Sequence, residues 1–171
     1  MNLIKDIPAG TAEEMNVIVE INKGSKNKYE IDKKSGLIAL DRVYYSTQDM
    51  PFDYGFVPQT LWEDGDPLDV VLLTTNPIFP GILVRARIVA MMDMIDSGES
   101  DVKIIAVPVH DPRWEEIKDL SDINKHTLKE MKHYFMTYKK LQNKEVVVKG
   151  FYDKRRATET FNKGVSAYRP L

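Results

Sequence analysis

Polar and apolar residues alternate along the first quarter of the chain. Val17, Val19 and Ile21 take every second position around Glu20, which predicts a strand. Lys28-Tyr29-Glu30-Ile31-Asp32 alternates more cleanly, with Tyr29 and Ile31 on one face and Lys28, Glu30 and Asp32 on the other. The turn Lys33-Lys34-Ser35-Gly36 then leads to a returning strand over 37–42, so a hairpin is expected. Residues 46–67 hold three Pro, two Gly and many polar groups and read as a long loop, a length that compact domains reserve for function or disorder. Strand signals resume at 68–73, 82–92, 102–109 and 145–152, with a turn at Ser97-Gly98-Glu99-Ser100. Over 124–142, Leu128, Met131, Phe135, Tyr138 and Leu141 recur at steps of three and four and predict one amphipathic helix. A short helix is expected at 114–118 and a full one from Ala157. Closely spaced strands with most helices late predict an α+β chain, mainly β: a small, largely antiparallel barrel with flanking helices.

Length and composition narrow the function. The 171 residues fit one domain, 1–171, with no internal repeat or linker to divide it. With no cysteine there is no disulfide, zinc-thiolate site or thiol nucleophile. The first residues lack a signal-peptide pattern and no apolar run approaches a membrane span, so a cytoplasmic location and no membrane partner are expected. A net charge of −2 argues against nucleic-acid binding by bulk electrostatics. Acidic residues bunch at 63–69 and 93–101, and basic ones from 139 to 156.

The sharpest local feature is Asp64-Gly65-Asp66-Pro67-Leu68-Asp69, three carboxylates on a Gly/Pro turn entering an apolar strand. Like charges this close cost free energy unless a cation joins them, and Mg2+ or Ca2+ prefers oxygen ligands. A solvated acidic turn has the same composition. A calcium EF-hand loop is excluded, because its sixth and twelfth positions would be Asp69 and Thr75 rather than Gly and Glu. An aspartyl-phosphate enzyme would have its strand before the Asp-x-Asp, not after it, and no phosphate-binding P-loop motif is present. A second acidic group, Asp96-Ser97-Gly98-Glu99-Ser100-Asp101-Val102-Lys103, falls on a hairpin tip, with Asp101 and Lys103 on one face of the strand. Lys28, Arg42, Tyr138 and Lys139 supply complementary cations and a phenol. The three histidines have no metal-ligand spacing.

In this order the pieces resemble the soluble inorganic pyrophosphatases of the single-domain bacterial and archaeal type. The motif at 64–70 matches that family's signature throughout. Val19-Glu20-Ile21, Lys28-Tyr29-Glu30-Ile31-Asp32, Leu40-Asp41-Arg42, Asp53-Tyr54-Gly55-Phe56, the 96–103 group with Ala106-Val107-Pro108, and Tyr138-Lys139 follow in the family's order. The likeness runs from about residue 4 to 155. Met50 stands where many members carry Tyr, and Ser97 where several carry Glu. The resemblance implies a five-stranded OB-like closed barrel with the site at its mouth, several Mg2+ ions, pyrophosphate as substrate and a homohexamer. It implies Asp64, Asp69 and Asp101 as ligands of the first metals, Asp69 bridging two, with Asp96 and Glu30 for metals that arrive with substrate. Lys28, Arg42, Tyr54, Lys103, Tyr138 and Lys139 would contact phosphate, Asp66 would take the proton of the attacking water, and Glu20 would support the cluster. On the main helix, His126 and His133 lie seven apart, away from the apolar stripe, and Tyr134 and Met136 add apolar surface outside it, which predicts that this face meets another copy. Two other functions fit part of the pattern: a metal-dependent phosphohydrolase of nucleotides, which lacks an aromatic sandwich or Gly-rich loop for a base, and an OB-type binding module without catalysis, whose acidic mouth would repel nucleic acid.

Overall fold

The computed structural model describes residues 1–169. The alternating segments become β1 (Met15–Ile21), β2 (Asn27–Ile31) and β3 (Ile38–Val43), followed by β4 (Asp53–Phe56), β5 (Asp69–Leu72), β6 (Leu83–Asp96) and β7 (Glu99–Pro108). Helix α1 (Lys125–Thr137), strand β8 (Val146–Tyr152) and helix α2 (Lys154–Ala167) complete the order. The large sheet runs β1-β4-β5-β7-β6, and β6 pairs back onto β1, closing a ring of five strands. The length of β6 makes the closure possible: Leu83 to Ala86 pair with β1 and Met91 to Asp96 with β8, so one strand serves the ring and an outer extension. β2 and β3 form a separate hairpin. This is the mainly β, OB-like barrel with flanking helices expected above.

Both faces of the central strands are buried. Val71 and Ile105 join the cluster under α1, while Val70, Leu72, Ile104 and Ala106 join the cluster under α2. Strands covered on both sides read as continuous apolar runs rather than alternations, which is the pattern of 70–73 and 104–107. β5 and β7 are parallel, with Asp69 opposite Lys103.

Five expectations change. The loop predicted over 46–67 contains β4, whose four residues are all buried between β1 and β5. The predicted helix over 124–142 ends at Thr137, and a separate 3-10 turn follows at Lys140–Gln142. Leu141 therefore leaves the stripe and is 68% exposed. Tyr134, assigned to the outer face, is buried: it stacks on Tyr138 with ring centroids 4.9 Å apart, and its hydroxyl donates to that of Tyr44 at 2.7 Å. The helical step from Met131 to Tyr134 is three residues, so Tyr134 belongs to the same face as Met131 and Phe135. The short helix at 114–118 is a 3-10 turn at Pro112–Trp114, and α2 starts at Lys154 because Asp153 caps it by accepting from Arg156 N–H.

Candidate active site

The cavity begins with strand register. Parallel pairing sets Asp69 beside Lys103, and the period of two puts Asp101 on the same face of β7. Lys103 Nζ stands 2.6 Å from Asp69 and 2.7 Å from Asp101, and it lies over the Tyr54 ring at 5.4 Å. Burial works against the Lys103 ammonium, but Asp69 and Asp101 outweigh it and hold its pKa above the ordinary lysine value. It is therefore a fixed positive charge inside the site.

The acidic turn approaches from one side. Asp64 Oδ1 accepts from Asp66 N–H at 3.0 Å, and the positive φ of Gly65 lets the chain turn between the two carboxylates. Burial, then the charges of Asp69, Asp101 and Asp66, push the Asp64 carboxyl up to about 6. Asp101 is also raised, by burial first and despite Lys103. Glu20 is 5% exposed, accepts from Ile31 N–H at 2.8 Å, and is pushed up to about 8 by burial and by Asp69.

From the other side, the break after α1 carries Tyr138 and Lys139 inward. Lys139 pairs with Asp96. Burial raises the Asp96 carboxyl, yet the hydrogen bond and charge of Lys139 bring it below the ordinary carboxylate value; at Lys139 itself burial prevails and lowers the ammonium. Burial also raises the Tyr54 and Tyr138 phenols, which stay protonated and able to donate. Ser97 sits at φ 51° in the β6–β7 turn and donates to Asp96 Oδ1 at 3.1 Å. Met50 is buried in the core under α1.

The hairpin closes the third side. Lys28 pairs with Glu30 at 2.8 Å and lies 3.7 Å from Asp41. The resulting cavity of about 320 Å³ is lined by Glu20, Lys28, Glu30, Tyr54, Asp64, Asp66, Asp69, Asp96, Asp101, Lys103, Tyr138 and Lys139 among others, so short segments spread from residue 20 to residue 139 meet in one place. Arg42 is outside the lining; it stands opposite Lys28 in the hairpin register with its guanidinium 2.6 Å from Asp41. Sequence reasoning missed Lys33, which lines the cavity, donates to the Gly65 carbonyl at 3.2 Å and pairs with Asp66. It occupies an ordinary hairpin turn, and only the fold brings it to the acidic loop.

Among the described residues, no three Asp, Glu or His side chains converge on one cation position. The donor chemistry nevertheless fits a hard divalent cation. The lining presents eight carboxylates against four lysines, all donors are oxygens, and the Lys103 ammonium already stands between two of them as a positive charge. Asp64 and Asp101 are raised by burial first and then by neighbouring carboxylates, and a bound cation would offset both effects.

The profile of the inorganic pyrophosphatase family matches residues 17–169. The chain belongs to that family. It is 47% identical over 163 residues to soluble inorganic pyrophosphatase 1 of Arabidopsis thaliana, covering 95% of this chain and 77% of that one. It is 43% identical to the inorganic pyrophosphatase of Picrophilus torridus, covering 100% and 98%. The crystal structure of the Thermus thermophilus inorganic pyrophosphatase superposes with a TM-score of 0.95 at 39% identity, over 99% of this chain and all of that one. The ring of five strands is thus the pyrophosphatase barrel, and the acidic cavity opens between its strands, the hairpin and the segment after α1. Among the described residues no helix is long and apolar enough to cross a membrane.

Proposed function

We propose that this chain, a hydrolase of inorganic pyrophosphate by family, cleaves pyrophosphate to two phosphates with Mg2+ as its divalent cation. The observation that carries the reading is the single cavity in which eight carboxylates face four lysines and the Tyr54 and Tyr138 hydroxyls. Asp64, Asp69 and Asp101 are assigned to the cations held before substrate, with Asp69 shared. Asp96 and Glu30 are assigned to those that enter with it. Bound cations would neutralise the phosphates and lower the pKa of the attacking water.

The chain's own groups do the rest. Lys28, Arg42, Lys103 and Lys139 offset the charge that grows on the leaving phosphate, an electrostatic role fixed in place by the ion pairs described above. Tyr54 and Tyr138 donate hydrogen bonds to phosphate oxygens. Water attacks one phosphorus, the bridging P–O bond breaks, and the water's proton passes to Asp66. Asp66 suits that role because it is half-exposed at the cavity edge and pairs with Lys33, itself an exposed lysine. Glu20 supports the hairpin through Ile31 N–H.

We assign the chain to the cytoplasm, to one working domain over 1–171 (residues 170 and 171 lie outside the described residues) and to a homohexamer. Support for the assembly lies on α1, where exposed His126 and His133 flank a 500 Å³ groove with Gln48, Asp49 and Pro51. Phosphate release tests the activity: turnover of pyrophosphate that needs Mg2+ and stops in excess chelator, with little release from ATP, is expected. Full turnover in chelator overturns the cation assignment, and preference for ATP overturns the substrate.

A further inference from the structure

The acidic turn is braced from behind by α2, which contributes nothing to the cavity itself. Glycine weakens a helix interior, yet Gly164 sits within α2 and is buried. A Cβ there would meet Leu68 Cδ1 at 2.4 Å and Cγ at 3.0 Å. Leu68 is fully buried and close-packed, so relieving that contact shifts either its side chain or the seat of α2 on the segment between Pro67 and Asp69. The Gly164 carbonyl is one of the last four of α2 and has no partner within the helix; it accepts from Leu61 N–H at 3.0 Å. Thr60 locks the far side of the same turn: its hydroxyl donates to the Val57 carbonyl at 2.7 Å and accepts from Leu68 N–H at 2.9 Å. Between these anchors, Trp62 N–H donates to the Asp66 carbonyl at 2.8 Å and the Trp62 carbonyl accepts from Gly65 N–H at 3.0 Å. Lys163 covers the Trp62 ring at 4.6 Å and pairs with Glu63 at 2.6 Å.

We infer that the seat of Gly164 and Lys163 on Leu61, Trp62 and Leu68 makes α2 the positioning element of the cation-binding turn, setting how tightly Asp64 and Asp69 hold a divalent cation. Residues that orient ligands from behind change metal affinity by about 10–100-fold when altered. The inference rests on the assignment of Asp64 and Asp69 as cation donors. It is tested by calorimetric titration of Mg2+ into the full chain without pyrophosphate, beside the Mg2+ concentration for half-maximal activity. Gly164→Ala should weaken Mg2+ binding about 10-fold, with kcat at saturating Mg2+ within about two-fold of wild type. Adding Leu68→Val, which removes the nearer of the two carbons that the new methyl strikes, should restore part of the affinity. Lys163→Met, a surface change that folds regardless of the fate of Gly164→Ala, should shift affinity the same way by a smaller factor. Unchanged Mg2+ affinity in the folded variants overturns the inference and leaves the functional reading standing. A wild-type chain that binds no Mg2+ overturns the functional reading and this inference with it.

Discussion

At the scale of single residues, the site separates carboxylates by what surrounds them. Asp66 lies at the rim, with a side chain 45% exposed and a lysine as its partner, whereas Glu20 is buried at the cavity's inner wall. Asp66→Asn keeps the shape and removes the proton acceptor, so kcat should fall by about 10²–10⁴-fold while Mg2+ binding persists. Steady-state kinetics beside calorimetry checks this; retention of more than half of kcat contradicts the role. Glu20 gives a prediction about stability. Its carboxyl moves from 4.5 to about 8 on folding, because burial and Asp69 disfavour the charge. A raised folded pKa means that the contribution to stability is complete below pH 4.5 and is lost as pH rises through about 8. In chelator, the melting temperature of the wild type should therefore decline over that interval. Glu20→Gln, still able to accept from Ile31 N–H, should decline less and melt higher than wild type at pH 8.5. Parallel melting curves for the two proteins across pH would contradict the assignment.

At the scale of elements, β4 shows how close approach replaces side-chain packing. A Cβ on Gly55 would lie 2.0 Å from the Ile18 carbonyl oxygen and 3.0 Å from Val19 Cα, atoms of the β1 backbone that cannot rotate away. Gly55→Ala should open the β1–β4 seam of the ring and destabilise the chain by at least about 3 kcal/mol, the upper range for overpacking. Urea denaturation reads the loss, and a midpoint equal to wild type would show that the seam gives way freely. The same element explains the misread loop: Asp53-Tyr54-Gly55-Phe56 carries a buried aspartate and a glycine, both poor strand formers. Asp53 is accommodated because it accepts from Lys23 N–H, Thr74 Oγ1 and Ile78 N–H. The early end of α1 has the opposite effect. Leaving the helix at Lys139 exposes Leu141 but points Lys139 at Asp96, so a lost apolar contact accompanies a gained site contact.

At the scale of the whole molecule, the cavity draws on the ring, the hairpin and the segment after α1, while α1 presents the groove beside His126 and His133 to solvent. If that face meets other copies, size-exclusion chromatography with light scattering should give six times the 19.7 kDa chain mass near neutral pH. A monomer in solution removes the assembly.

The sequence by itself determined the strands with clear alternation, the main amphipathic helix, and the acidic and basic residues that the fold gathers into the cavity. Each of those signals is local: a period of two or 3.6, or carboxylates crowded within six residues. Tertiary structure alone decided what those residues do to one another. The parallel register that puts Asp69 beside Lys103, the burial that separates Glu20 from Asp66, and the helix that seats Gly164 on Leu68 join segments tens of residues apart. No local pattern encodes such pairings, because they arise only when the ring closes and the two faces of its strands are covered. The charge state of each carboxylate follows from that closure, since desolvation and neighbouring charge are properties of the folded cavity and not of the residue.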